Sequence, residues 1–152
     1  YTVILMLIYT GCRIGELLDL KKENVNLEER YFKIVASKTA AGIRTAPISE
    51  KVHPFFEYWY NLNDCEYLLS TPEGEHFKYR NYYDSYWSPL IETLGMKHRP
   101  HDTRPTCISM LTVAGVSDKV IKKIVGHKGQ GVTEVVYTHF EIEELIDAIN
   151  KI

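Results

Sequence analysis

The sequence predicts a mainly helical fold carrying a small three-stranded antiparallel β-sheet, an α+β arrangement. Three observations lead there. Apolar positions recur at helical spacing in segments opened by capping residues or closed by glycines. Two runs rich in β-branched and aromatic residues, 31–37 and 43–48, flank Lys38-Thr39-Ala40-Ala41-Gly42 and read as a β-hairpin. A short apolar run at 67–70 precedes Thr71-Pro72-Glu73-Gly74 and supplies a third strand and a turn. The 152 residues suit one domain. Hydrophobic residues make up 45% and charged residues 25%, enough apolar surface for a core, which excludes a disordered chain.

The elements follow in order. Residues 1–10 are nearly all apolar and read as a buried helix. Gly11-Cys12-Arg13-Ile14-Gly15-Glu16-Leu17-Leu18 breaks that helix and starts a short new one. Pro47 cannot donate to a ladder, so the second hairpin strand ends there or lies at a sheet edge. Residues 51–62 are helical in pattern, with Ser49 as N-cap. Residues 81–94 form an aromatic-rich helix closed by Gly95 as its C′ residue. A helix over 102–114 is capped by Asp102 or Thr103, tolerates Pro105 in its first turn, and stops at Gly115. Ser117 caps a helix over 118–125 that Gly126 ends. A short helix around 133–138 follows, then a tail helix within 141–152 with Ile142, Leu145, Ile146 and Ile149 on one side.

Several classes fall away. The longest strongly apolar run, 3–9, is far short of the roughly 20 residues that span a bilayer, and no charged segment of a signal peptide precedes it. Cys12, Cys65 and Cys107 are odd in number and lack CxxC spacing, which argues against a disulfide framework or a zinc site and for a reducing cytoplasm. A metal site from His98 and His101, or from His127 and His139, lacks carboxylate or cysteine partners at ligand spacing. The chain opens at Tyr1 within an apolar segment and reads as part of a longer protein. Net charge is −2, yet the charge is segregated. Residues 97–128 carry seven basic side chains against two acids, and residues 141–152 carry four acids against one lysine. A basic segment of that kind suits a nucleic-acid partner.

The chemistry rests on a set rather than on any one residue. Arg13 lies on a tight turn between glycines. His101-Asp102-Thr103-Arg104 opens a helix, where an arginine and free N–H groups together favour an anion. Lys38 lies in the hairpin loop, His127 between Gly126 and Lys128, and Tyr137 in Val136-Tyr137-Thr138-His139. Two guanidiniums, a lysine, two histidines and a tyrosine are what metal-free phosphodiester cleavage requires. Guanidiniums grip non-bridging oxygens and offset transition-state charge. A tyrosine hydroxyl attacks once its proton is taken, and a lysine protonates the leaving oxygen.

On Thr10-Gly11-Cys12-Arg13-Ile14-Gly15-Glu16-Leu17, Ser37-Lys38-Thr39, His101-Asp102-Thr103-Arg104, Val125-Gly126-His127 and Tyr137-Thr138-His139, in that order, the sequence resembles the catalytic domain of tyrosine recombinases, the phage-integrase family. The resemblance runs over nearly the whole chain. It implies a site-specific DNA recombinase that cleaves and rejoins DNA through a 3′-phosphotyrosine, for integration or excision of a phage or mobile element in a bacterial cytoplasm. It implies that Arg13 and Arg104 clamp the scissile phosphate, Lys38 is the general acid, His101 moves the tyrosine proton, His127 hydrogen-bonds the phosphate and Tyr137 is the nucleophile. Glu16 is then a structural partner near the first arginine. No metal, ATP or other cofactor is implied. Partners would be double-stranded DNA attachment sites and other protomers, in a tetramer on DNA where C-terminal tail exchange is one of two readings of the tail, and no membrane.

The family's N-terminal DNA-clamping domain would lie outside the chain, which leaves 1–152 as the catalytic domain. Two departures from many relatives are Pro105 in place of histidine and a ten-residue step from His127 to Tyr137. Pro105 implies an altered helix start. Lys119, Lys122 and Lys123 share one helix face and, with Arg99 and Lys128, suit contacts to the DNA backbone. The tail helix has two readings, packing on its own domain or docking on a neighbouring protomer. The competing function is a non-catalytic, helix-turn-helix-like DNA-binding module built on the break at Gly115 and residues 117–125. Clustering of Arg13, Lys38, His101, Arg104 and Tyr137 around one anion site would separate the two.

Overall fold

A computed structural model describes residues 1–37, 39–127 and 142–152. Helix α1 (Thr2–Thr10) is followed at once by α2 (Ile14–Leu18). A three-stranded antiparallel sheet in the order β1-β2-β3 then forms from β1 (Val25–Asn26), β2 (Tyr31–Ile34) and β3 (Arg44–Pro47). Helices α3 (His53–Asn61), α4 (Tyr79–Tyr82), α5 (Ser88–Thr93), α6 (Thr103–Val113), α7 (Asp118–Val125) and α8 (Ile142–Ile149) complete the described chain. The expected α+β architecture is therefore present.

The hairpin aligns Phe32 with Ala46 and Ile34 with Arg44. Side chains alternate across a strand, so Phe32 and Ile34 face inward together, and on β3 the inward pair is Arg44 and Ala46. Pro47 closes β3, which is an edge strand, as its missing N–H requires.

Three expectations need correction. Residues 67–70 are not the third strand. They pair one residue at a time, Tyr67 with Lys21 and Ser70 with His76, while the Leu68 N–H donates to Leu20 O. The third strand is β1, which folds back on β2 through a turn where Arg30 takes a φ of 61° and Asn26 Oδ1 accepts from the Glu29 N–H. The helix read over 81–94 is α4 and α5 joined by a π turn at Tyr83–Trp87. Pro89 lacks the N–H that would bond the carbonyl four residues earlier, and the wider turn absorbs that loss. Ser49 is not the cap of α3. It starts a preceding turn, its carbonyl accepting from Val52 and His53, and the helix begins beside Pro54.

The first hairpin strand, expected over 31–37, ends at Ile34, while the glycine and serine boundaries agree with the sequence. Gly11, Gly95, Gly115 and Gly126 all take positive φ where helices end. Ser117 Oγ accepts from the Val120 N–H and caps α7. A 3-10 turn over Pro100–Asp102 leads into α6, and Asp102 stands at its N-cap position without a side-chain cap hydrogen bond. The helix expected around 133–138 lies outside the described residues.

Two apolar clusters organise the molecule. The first gathers α1, α2, the sheet and α3 around Leu7, Leu17, Phe32 and Phe56. The second gathers α6, α7 and α8 around Leu111, Ile124, Leu145 and Ile149. Tyr9 touches both. The tail helix packs on its own domain: its apolar side faces the second cluster, and Asn150 Oδ1 accepts from the Glu50 N–H. The seam between the clusters is where α2, the hairpin, α6 and the end of α7 meet.

Candidate active site

Arg13 stands at the seam because of the chain reversal before it. Thr10 turns its hydroxyl back onto Met6 O, and its oxygen accepts from the Cys12 N–H. Gly11 has a φ of 67°, and a Cβ there would lie 2.6 Å from Val125 Cγ1. Only glycine allows both the turn and this close approach to α7. Arg13 then opens α2, where its N–H donates to Glu16 Oε2 at 3.0 Å. Its Nη1 donates to Glu16 Oε1, also at 3.0 Å. The Arg13 side chain remains 24% exposed, so it is fixed yet reachable.

Glu16 is a hub. Besides Arg13 it accepts from Ser37 Oγ at 2.9 Å and from Arg44 Nη1 and Nη2 at 3.3 and 3.2 Å. Burial pushes its carboxyl pKa up, and these donors, Arg44 foremost, outweigh burial and hold it below the usual range. It is therefore ionised, as a structural partner of the first arginine should be.

Arg104 is held differently. It is buried to 2% exposure, although a helix-start arginine is ordinarily solvated. Nη1 donates to Gly11 O at 2.8 Å and Val125 O at 2.6 Å. Nη2 is buried with no partner among the described residues. Burial, then the Arg13 and Arg44 charges, lower the pKa of Arg104. Arg13 and Arg44 share the Glu16 carboxylate, while Arg104 rests on main-chain carbonyls, which leaves an excess of positive charge beside a donor with no partner among the described residues. An anion offsets both.

His127 follows the αL turn at Gly126 and reaches the same seam. Burial, then Arg104, Arg13, Lys122 and His101 in turn, push its pKa down. The structure therefore brings together Arg13, His101, Arg104 and His127 among the expected site residues. His101 is exposed in the 3-10 turn before α6. That turn is braced by the Arg99 N–H donating to Asp102 Oδ2 at 2.9 Å and by His98 Nδ1 at 3.4 Å from the same oxygen. Lys38, Lys128, Tyr137 and His139 lie outside the described residues.

Of the expected backbone-binding residues, Arg99, Lys119 and Lys123 are exposed. Lys122 pairs with Asp118 at 2.9 Å. Among the described residues, no three His, Cys, Asp or Glu side chains form a metal-holding group, and no helix is long and apolar enough to cross a membrane.

The model of the phage integrase family matches residues 1–144. The chain belongs to the phage integrase family. Tyrosine recombinase XerA of Pyrococcus furiosus is 25% identical over 154 residues, covering 98% of this chain and 53% of that protein. The integrase of mycobacterium phage Brujita superposes with a TM-score of 0.75 at 21% identity, over 99% of this chain and 50% of that one. The Tn1549 transposon integrase, solved with circular intermediate DNA, gives a TM-score of 0.71 at 23% identity, over 85% and 52% of the two chains. These structures share the fold, and the chain spans about half the length of the curated relatives it matches.

In this integrase-family domain, sequence reasoning missed Arg44. It is buried at 8% exposure, donates through Nε to Ile124 O at 2.8 Å and through Nη1 to Gly42 O at 2.6 Å, and shares Glu16. The signal was present in the strand period. Arg44 alternates with Ala46 on one face, and a charged residue on an inward face needs a buried partner.

Proposed function

We propose that this domain is the catalytic part of a site-specific DNA recombinase, cleaving and rejoining DNA through a 3′-phosphotyrosine for integration or excision of a phage or mobile element. The observation that carries this reading is Arg104, buried at 2% exposure with Nη2 left without a partner among the described residues, beside Arg13 and His127. A buried cation holding an unused donor is costly unless an anion completes it. A scissile phosphate is such an anion. Arg13 and Arg104 grip its non-bridging oxygens, and that grip strengthens as charge builds in the pentacoordinate transition state. His127, whose pKa burial and then its cationic surroundings push down, hydrogen-bonds the phosphate.

Tyr137 attacks phosphorus, its proton passing to His101, and the 5′-oxygen leaves with a proton from Lys38. The phosphotyrosyl bond conserves the energy of the broken phosphodiester, so rejoining needs no ATP, and the roles assigned here require no metal. Arg99, Lys119, Lys122, Lys123 and Lys128 supply contacts to the backbone of attachment-site DNA. The protomers assemble as a tetramer on that DNA, in the cytoplasm of a bacterial host. A purely DNA-binding module would give the open donor of Arg104 no task.

The test is covalent trapping. Full-length protein is mixed with nicked DNA spanning the junction of the element that carries its gene, and the products are run on a denaturing gel. A DNA–protein adduct that Tyr137→Phe abolishes is the expected result. Salt-sensitive DNA binding without any adduct would favour the binding module.

A further inference from the structure

We propose that Arg44 is a positioning residue for strand cleavage, holding Arg13, the hairpin loop and the end of α7 in one geometry through its fork of hydrogen bonds. The inference rests on the recombinase reading above and adds to it a residue outside the catalytic set.

Arg44 Nε takes Ile124 O at the end of α7, two residues before Gly126 and three before His127. Nη1 takes Gly42 O in the hairpin loop. Nη1 and Nη2 both approach Glu16, the carboxylate that holds the N–H and Nη1 of Arg13. Ser37 Oγ adds the other side of the loop to the same carboxylate. One side chain, 3% exposed, thereby joins three separate stretches of chain. These stretches carry Arg13, border Lys38 and carry His127.

Gly126 gives an independent sign of the same constraint. A Cβ there would lie 2.7 Å from Arg44 Nη1 and 3.0 Å from Ala41 O. The turn that presents His127 is therefore built directly against the guanidinium. A lysine could restore the charge of Arg44 but not its planar fork, which serves three acceptors at fixed angles.

A field effect is the competing account, because Arg44 also lies close enough to Arg104 to lower its pKa. The two accounts part on Arg44→Lys, which keeps the field and loses the fork. They part again on pH. The groups facing Glu16 are Arg13 and Cys12 from the turn before α2, Ser37 from the hairpin, Arg44 from β3 and Arg104 from α6. With Arg44 removed, the strongest partner opposing burial is lost and the Glu16 carboxyl takes up a proton more readily. A protonated Glu16 releases its grip on Arg13.

The experiment measures adduct formation and DNA affinity for full-length wild type, Arg44→Lys, Arg44→Met and the double variant Glu16→Gln/Arg44→Met, on the nicked junction DNA. Positioning predicts adduct rates for Arg44→Lys and Arg44→Met lower by about tenfold to a hundredfold, with affinity nearly unchanged. It also predicts that the rate of Arg44→Met relative to wild type falls further as pH drops, while that of the double variant stays level. Dividing by wild type removes the pH effects that the two proteins have in common. If Arg44→Met does not fold, Arg44→Lys decides alone. A wild-type rate in Arg44→Lys overturns the proposal, and so does a pH-independent ratio for a folded Arg44→Met. A wild type that forms no adduct removes the recombinase reading instead, and this inference falls with it.

Discussion

Arg13, beside the first apolar cluster, shares the Glu16 carboxylate with Arg44 and Ser37, whereas Arg104, beside the second, rests on the main-chain carbonyls of Gly11 and Val125. The two supports differ in what they leave behind. A carboxylate cancels much of the charge it holds, so Arg13 is inexpensive to keep near the surface and contributes geometry and hydrogen bonds. Carbonyl dipoles solvate a guanidinium without cancelling it. Arg104 therefore keeps its full attraction for an anion and one open donor, at a cost in stability that the surrounding packing offsets. The first side of the site is a salt-bridge network sensitive to acid, and the second is a rigid cradle that is not.

The largest change in stability should come from removing the hub. Glu16→Ala leaves the buried Arg44 without its carboxylate, and stability should fall by about 3–5 kcal/mol, read from urea unfolding. The acid dependence has a definite sign. The folded pKa of Glu16 lies below the ordinary 4.5 of a glutamate, so its contribution is present above about pH 4.5 and is lost as pH falls through the lower folded value. The gap between wild type and Glu16→Ala should therefore narrow on acidification below that point. A gap that stays constant would mean that Glu16 is not the acid-sensitive element.

A smaller effect separates crowding from backbone strain along the seam. Gly126 and Gly115 both have positive φ, 76° and 84°, but a Cβ meets Arg44 at Gly126 and nothing within 4 Å at Gly115. Gly115→Ala should cost about 1 kcal/mol from the left-handed backbone alone. Gly126→Ala should cost more and should also slow adduct formation, because the guanidinium must move. Equal costs, with activity intact in both, would indicate that Arg44 has room to spare.

Much of this was legible in residue order. Glycine and serine at helix ends announce themselves, because positive φ and an N-cap oxygen are local needs; Gly11, Gly95, Ser117 and Gly126 all stand where the sequence put them. The hairpin was legible because both strands are long enough to display their period. The strand β1 was not, since two residues carry no pattern, and the apolar run at 67–70 offered a more convincing but wrong third strand. The π turn at Tyr83–Trp87 arises from Pro89 inside an otherwise helical pattern, a conflict that shows where a helix deforms but not how. At the site, the order of motifs led to Arg13, His101, Arg104 and His127, which do converge. Burial of Arg104 was not legible, because its acceptors belong to Gly11 and Val125, 93 and 21 residues away in sequence. Arg44 was missed for the same reason, its farthest partner, Ile124, lying 80 residues along.

The contrast between the two sides is tested most directly on Arg104→Met, with adduct formation and DNA affinity measured side by side on nicked junction DNA. An open donor reserved for the reacting phosphate predicts that adduct formation falls by about a hundredfold to a thousandfold, while affinity, carried by many backbone contacts, changes little. Cleavage at the wild-type rate, or affinity and cleavage falling by the same factor, would contradict it.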